Sequence, residues 1–414
     1  MTLKTARLDL NLPHLPFEVA LLPSTTCLVG GAVRDALLGR HRTYWDLDFV
    51  LPEKAVETAK IIAHRYDGGF VVLDDVRQIA RVVFPQGTLD FALQEGETLE
   101  KDLQRRDFTI NAIAYNMRQQ RAIDPLGGLQ DLEHRVIRMV SPENLQDDPL
   151  RLLRAYRQAS QLDFQIESQT RKTIHNLANL LPNIAAERVQ NELNYLLTSS
   201  LGNRWLQTAW EDGLIDAWFT ELNREKFAQI ETIETVQRFL RQQWPNFEET
   251  IPKCLILAKL STLVSANPEV AELELERLKY SRSQIKAVVA TVKNLPKLQV
   301  LESAMSLRQQ YFFFLEVKNF FPILAVRAIV TGVDKDIILP MIERYLNPQD
   351  VVAHPKSLVS GKDLINRLNL KPSPIIGELL TEIQIAYIEG KIFDSEDAIA
   401  FAADYLRKVT SDNL

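Results

Sequence analysis

The chain has 414 residues, 46% hydrophobic and 25% charged, with a formal net charge of −6. That composition describes a globular protein of about two to four domains, with no fixed-period repeat or low-complexity tract. It gives no bulk attraction to nucleic acid, so any RNA contact must come from a local basic surface. Cys27 and Cys254 are the only cysteines; far apart and without metal-ligand spacing, they read as small apolar residues in a reducing compartment. Met1 to Pro13 lacks the apolar core of a secretory signal, and no apolar run approaches bilayer length. The expectation is a cytoplasmic protein with no membrane partner.

Short apolar runs separated by turns predict strands over Thr26–Val29, Trp45–Val50, Gly69–Leu73, Ala80–Phe84 and Thr88–Leu93. Helices are expected over Asp35–Leu38, directly after a pair of glycines, and over Ala55–His64. From Pro149 onward the 3.6-residue period dominates, with Pro182, Pro252, Pro268, Pro296, Pro322, Pro340 and Pro355 expected to separate helices. The fold class predicted is an α/β head with a mixed sheet, followed by a long all-α body. The aromatic stretch Tyr311–Leu315 with Phe320 and Phe321 reads as helix core rather than a base-stacking platform.

Chemistry concentrates near the N-terminus. Leu28-Val-Gly-Gly-Ala-Val-Arg-Asp35 puts Gly30 and Gly31 where backbone amides can approach a phosphate, with Arg34 as a forked donor beside them. Asp46 and Asp48 sit two apart in a predicted strand, hence on one face, with Leu47 and Phe49 on the other. A Gly-Gly pair alone is usually a turn, and an Asp-x-Asp alone a solvated pair. In this order they match what two Mg²⁺ ions need for in-line attack on an α-phosphate, which is nucleotidyl transfer.

Downstream, Arg105-Arg-Asp-Phe-Thr-Ile-Asn-Ala112 follows an acidic helical lead-in, and Asp124-Pro-Leu-Gly-Gly128 reads as a tight turn. Asp148-Pro149 has the form of an N-cap followed by proline at the first helical position. Beyond it, Arg151, Arg154 and Arg157 form a cationic stripe that calls for an anionic partner. Asp148 with Arg151 could accept from an exocyclic amine and donate to a ring acceptor. That pair suits cytosine and adenine, and leaves buried groups unpaired against uracil and guanine.

Together these segments, with Glu187-Arg-Val-Gln-Asn-Glu-Leu193, resemble the class II tRNA nucleotidyltransferases, the bacterial CCA-adding enzymes and their poly(A) polymerase relatives. The resemblance covers about the first half of the chain. It extends more weakly to Ser360-Gly-Lys-Asp-Leu364, Gly377-Glu-Leu-Leu380 and Glu389-Gly390. It implies a polymerase-β-like head over 1–140, a nucleotide-selecting neck over 141–200, a helical body over 201–345 and a tRNA-binding tail over 346–414. By the same resemblance Asp46 and Asp48 hold Mg²⁺, and Asp90 is the third catalytic carboxylate. Gly30, Gly31, Arg34, Arg106, Asp148, Arg151, Arg154 and Arg157 bind the nucleotide, while Glu187 and Arg188 brace the templating helix. The implied partners are CTP, with ATP as an alternative, and the acceptor and T arms of tRNA.

One departure bears on the product. Family members that complete the CCA end usually carry a flexible, often basic loop before the double-arginine motif. Here only the acidic stretch Gln94–Gln104 separates Leu93 from Arg105. Loss of that loop goes with enzymes that add two cytidines and leave the adenosine to a separate A-adding enzyme. Complete CCA addition and poly(A) polymerase activity are the alternatives, as is a non-catalytic tRNA-binding scaffold, which would need no paired metal carboxylates. A run of Arg277, Lys279, Arg282, Lys286, Lys293 and Lys297 is either a grip on the RNA backbone or a solvated face.

Overall fold

The computed structural model describes residues 5–7, 15–40, 44–245 and 254–411. Most of the segment read for a leader, and the expected helix breaker Pro252, lie outside them. The chain divides into two compact units, Met1–Ala217 and Trp218–Leu414.

In the first unit the strands are β1 (Thr5–Arg7), β2 (Cys27–Val29), β3 (Trp45–Leu51), β4 (Gly69–Asp74), β5 (Ile79–Phe84), β6 (Gly87–Leu93), β7 (Ala114–Asn116) and β8 (Arg121–Ile123). They form one sheet in the order β1-β8-β7-β2-β3-β6-β5-β4. The β3–β6 pair is parallel and the others are antiparallel. The five predicted strands are present. β1, β7 and β8 were not anticipated, because three residues are too few to display a period of two. Helix α1 (Gly31–Leu37) starts inside the glycine pair, four residues earlier than expected, and α2 (Ala55–Arg65) covers β4 to β6 with Ala55, Ala59, Ile62 and Ala63 buried. Alternation along β3 sends Leu47 and Phe49 into this core, where Phe49 stacks on Phe91 at 5.0 Å. The opposite face takes Asp46 and Asp48.

The remainder of the unit is α3 (Leu99–Gln104), α4 (Gly128–Glu133), β9 (Val136–Ile137), α5 (Pro142–Asp147), α6 (Leu150–Leu162), β10 (Gln165–Ile166), α7 (Ser168–Leu177), α8 (Ala186–Thr198) and α9 (Gly202–Glu211). The Asp124–Gly128 turn is structural. The Asp124 carboxylate accepts from the amides of Gly128 (2.8 Å) and Leu129 (2.9 Å), capping α4. A Cβ on Gly128 would lie 2.2 Å from the Thr109 carbonyl oxygen, so only glycine lets α4 pack there. The expected N-cap at Asp148 is not formed. Pro149 occupies the cap position of α6, no side chain caps it, and the Asp148 carboxylate turns instead to Arg188.

The second unit is helical: α10 (Arg224–Gln243), α11 (Cys254–Leu263), α12 (Pro268–Arg277), α13 (Arg282–Gln299), α14 (Leu307–Val317), α15 (Phe321–Val330), α16 (Lys335–Leu346), α17 (Gly361–Leu368), α18 (Ile375–Ile388) and α19 (Ser395–Ser411). Tyr311, Phe313, Phe314 and Phe321 are buried core as expected, but Phe312 and Leu315 of the same stretch are exposed, because they fall on the outer face of α14. A separate cluster around Leu364, Leu379, Ile383, Ala398 and Ala402 holds α17 to α19 together. Two of the expected breakers do not separate helices: Pro296 lies in the last turn of α13 and Pro340 inside α16. Among the described residues no helix is long and apolar enough to cross a membrane.

Candidate active site

A cleft of about 280 Å³ opens where the start of β3, the start of α1, the Arg106–Asn111 segment and one face of α6 converge. Gly30, Gly31, Arg34, Asp46, Asp48, Arg106, Arg154 and Arg157 all line it, so residues 127 positions apart in sequence meet around one space. Gly30 has φ +75°, and a Cβ there would come within 3.3 Å of the Arg106 guanidinium and 3.4 Å of Asp48 Oδ2. Gly30→Ala is therefore expected to strain the turn by about 1–2 kcal/mol and displace both groups. Steady-state kinetics should show the loss mainly in kcat, with only a small fall in melting temperature.

The parallel register of β3 and β6 sets Asp46 opposite Thr88 and Asp48 opposite Asp90. The Thr88 hydroxyl donates to Asp46 Oδ1 at 3.0 Å. Burial pushes the Asp48 carboxyl up to about 6; Asp46 and Asp90 repel its charge further, while Arg106 and Arg81 oppose them. Asp90 itself is gripped at both oxygens by Arg81, with Nε and Nη2 each at 2.7 Å. Sequence reasoning missed Arg81; its only signal is its place on β5, directly opposite Asp90. Among the described residues no three acidic, histidine or cysteine side chains converge as a ready metal cage. Two carboxylates on one strand face leave further coordination positions to phosphate oxygens and water, which is the manner of Mg²⁺.

Arg34 is buried and held in place. Its Nε and Nη2 donate to Asp35 Oδ1 at 2.9 and 2.7 Å, and its Nη1 donates to Asn111 Oδ1 at 2.8 Å and Gln158 Oε1 at 3.3 Å. Gln158, on α6, therefore ties that helix to Arg34 of α1. Its neutral side chain on the arginine face of α6 gave no signal in sequence. Asp107 is buried at the same junction. Burial works against its ionisation, but Arg154, Asn111, the Phe108 amide and Arg151 outweigh it and hold it below the ordinary carboxylate range. Arg154 Nε lies 3.1 Å from Asp107 Oδ2 as an ion pair. Arg157 pairs with Glu192 of α8 and stands over the Tyr195 ring, 5.4 Å from its centroid. Arg106 donates to Asp102 at 3.2 Å.

Asp148 and Arg151, expected to read the base, lie outside the lined cleft. Asp148 Oδ2 accepts from Arg188 Nη2 at 3.0 Å, while its Oδ1 is buried with no hydrogen-bond partner. Arg151 donates to the carbonyls of Arg105 (2.9 Å) and Asn144 (3.0 Å). Arg188 thus touches Asp148, just ahead of the helix that Arg188 was expected to brace. Glu187 is exposed in the first turn of α8, and Glu192, over a turn further on, is the carboxylate set against the arginine helix.

Residues 26–94 and 90–138 match the poly(A) polymerase head domain, 163–226 the RNA and SrmB-binding site of polymerase A, and 253–403 the tRNA nucleotidyltransferase domain 2. The chain is 50% identical to a CC-adding tRNA nucleotidyltransferase of Synechocystis, over 94% of this chain and 96% of that one. It is 32% identical to an A-adding tRNA nucleotidyltransferase of Deinococcus radiodurans, over 92% and 95%. It superposes on the Thermotoga maritima CCA-adding enzyme complexed with tRNA with a TM-score of 0.71 and 25% identity, covering 92% of this chain and 91% of that one. With near full-length identity of this order, and with the head, RNA-binding and second-domain models falling in sequence along it, the chain belongs to the tRNA nucleotidyltransferase family.

Proposed function

We propose that this enzyme adds two cytidines from CTP to the 3′ end of immature tRNA and then stops, leaving the adenosine to a separate enzyme. The observation that carries this reading is the connection from β6 to α3. Only residues 94–98 intervene, and they are tied down. The Gln94 amide donates to the Leu51 carbonyl at 2.7 Å, the Glu95 amide donates to Asp102 Oδ1 at 3.1 Å, and Glu95 pairs with Arg105. A segment this short and this bonded leaves no flexible loop to re-aim the base-reading pair from CTP to ATP. The 50% identity to a CC-adding enzyme supports the same reading.

In this mechanism Asp46 and Asp48 would hold Mg²⁺, and the ion would supply Lewis acidity towards the primer 3′-oxygen and the α-phosphate. The chain supplies the remainder. The Gly30–Gly31 turn admits the triphosphate, Arg34 and Arg106 face its oxygens, and Arg154 and Arg157 flank the nucleoside. Asp90, with Arg81 as counter-ion, completes the acidic row. Asp148 and Arg151 select the base, with Arg188 fixing Asp148. Residues 1–140 act as catalytic head, 141–200 as selecting neck, 201–345 as body and 346–414 as tail. In the body Arg282, Lys286, Lys293 and Lys297 share one face of α13 and are exposed. Lys293 and Lys297 pair with Glu316, so Lys279, Arg282 and Lys286 are the cations best placed for the tRNA backbone. Burial pushes the Cys27 thiol up to about 11 and Cys254 up to about 12, in keeping with unreactive thiols in the cytoplasm.

The test is the sequence of the product. Incubation with CTP, ATP, Mg²⁺ and tRNA lacking its 3′ end should give transcripts ending in CC. Products ending in CCA would overturn the CC-only reading and leave nucleotidyl transfer intact.

A further inference from the structure

Helices α10, α11, α13 and α15 enclose a cavity of about 260 Å³ in the second unit. Arg327 of α15 lines it, and the residue is only 5% exposed. Its Nη1 donates to Gln229 Oε1 at 3.1 Å. Its Nε is buried with no hydrogen-bond partner, and among the described residues it forms no ion pair with any carboxylate. Lys226, half-buried in the same wall, spends its ammonium on the carbonyls of Leu263 (3.3 Å) and Val264 (2.6 Å). Burial holds the lysine below its usual range, and the nearby arginine adds to that, against Glu221 and Glu274. Those two carboxylates are otherwise engaged: Glu221 accepts from Ser265 and the Ala266 amide, and Glu274 accepts from Thr220 and the Ser265 amide. Glu225 lines the cavity too, but is exposed in the first turn of α10 and accepts from Gln229 at 3.4 Å.

An unpaired guanidinium taken out of water is costly, and proteins rarely keep one without a counter-charge. Two cations sharing one cavity increase that cost. We propose that this cavity is an oxyanion site, in which the Arg327 guanidinium, together with the Lys226 ammonium, binds a phosphate group. A tetrahedral oxyanion is small enough for the space and matches the fork's donor geometry. The phosphate can be free inorganic phosphate or a phosphodiester of RNA. The site is separate from the head cleft and does not depend on the reading of that cleft.

The experiment measures thermal stability of the full chain with increasing sodium phosphate against sodium chloride at equal ionic strength, with Arg327→Met and Lys226→Met alongside wild type. Wild type should gain about 2 °C or more from phosphate alone. Arg327→Met should lose that gain, and without phosphate should melt no lower than wild type, because it removes an uncompensated charge. Isothermal titration with phosphate should show one binding event fewer in Arg327→Met, with CTP incorporation retained. An undiminished phosphate response in Arg327→Met would overturn the site, since the response would then belong to the head cleft. If Arg327→Met does not fold, Lys226→Met decides: phosphate affinity at least ~5-fold weaker supports the site, and unchanged affinity overturns it. A tRNA-binding arm separates the sources. Weaker tRNA binding by Arg327→Met, with phosphate competing, assigns the site to RNA; unchanged tRNA binding assigns it to the free anion.

Discussion

Asp48→Asn is expected to cut CTP incorporation by ~10³-fold or more while making the metal-free protein more stable at neutral pH. The loss follows from removing one of the two carboxylates proposed to hold the catalytic ions. The gain follows from burial, which raises the folded-state carboxyl to about 6 against an ordinary value of 3.8. Between those two pH values the folded protein binds more protons than the unfolded chain, so its stability falls as pH rises and reaches its lower plateau above about 6. An isosteric amide carries no charge to desolvate, so the variant escapes that fall. Its advantage should be absent near pH 4 and reach about 1–3 kcal/mol at pH 7.5. Added Mg²⁺ should narrow the gap by stabilising wild type only. Urea melts at pH 4, 5.5 and 7.5, with and without Mg²⁺, measure it; equal stability at all three values would refute the account. Asp46 is exposed, and Asp46→Ala should abolish activity with little change in stability or tRNA binding.

Asp148→Ala should collapse discrimination between CTP and UTP by about 100-fold, read as the ratio of the two kcat/KM values. The argument is one of unpaired groups. Asp148 Oδ1 is buried and has no donor, while Oδ2 is held by Arg188. A cytosine amine would satisfy Oδ1, whereas a uracil carbonyl would face it as a second acceptor. Deleting the carboxylate removes that penalty on UTP and the reward for CTP together. Arg188→Ala should give a weaker version of the same phenotype, since it frees Asp148 to move without removing it. If Asp148→Ala lowers both kcat/KM values equally, base selection lies elsewhere.

The residues proposed to carry the chemistry of the cleft were legible in sequence because their grouping is local. Gly30 and Gly31 need no neighbour to permit a close phosphate, and Asp46 and Asp48 share a face by strand alternation alone. The strands and the helical change after Pro149 were equally local in origin. What required the tertiary structure was every pairing between distant segments. Parallel β3–β6 register decided that Asp90 stands beside Asp48, and antiparallel β5–β6 register put Arg81 on Asp90. Packing of α6 against α8 brought Glu192 to Arg157, and the side chain of Gln158 reaches from α6 to Arg34 of α1. It also drew Asp148 from the capping role its spacing suggested into an ion pair with Arg188. Pro296 and Pro340 stayed inside helices for a related reason: tertiary packing of the flanking turns can outweigh one missing amide. Residue type and short spacing determine which reactions a segment can support. Only the register and packing of remote segments decide which charges meet, because nothing within a helix or strand encodes the partner it will face.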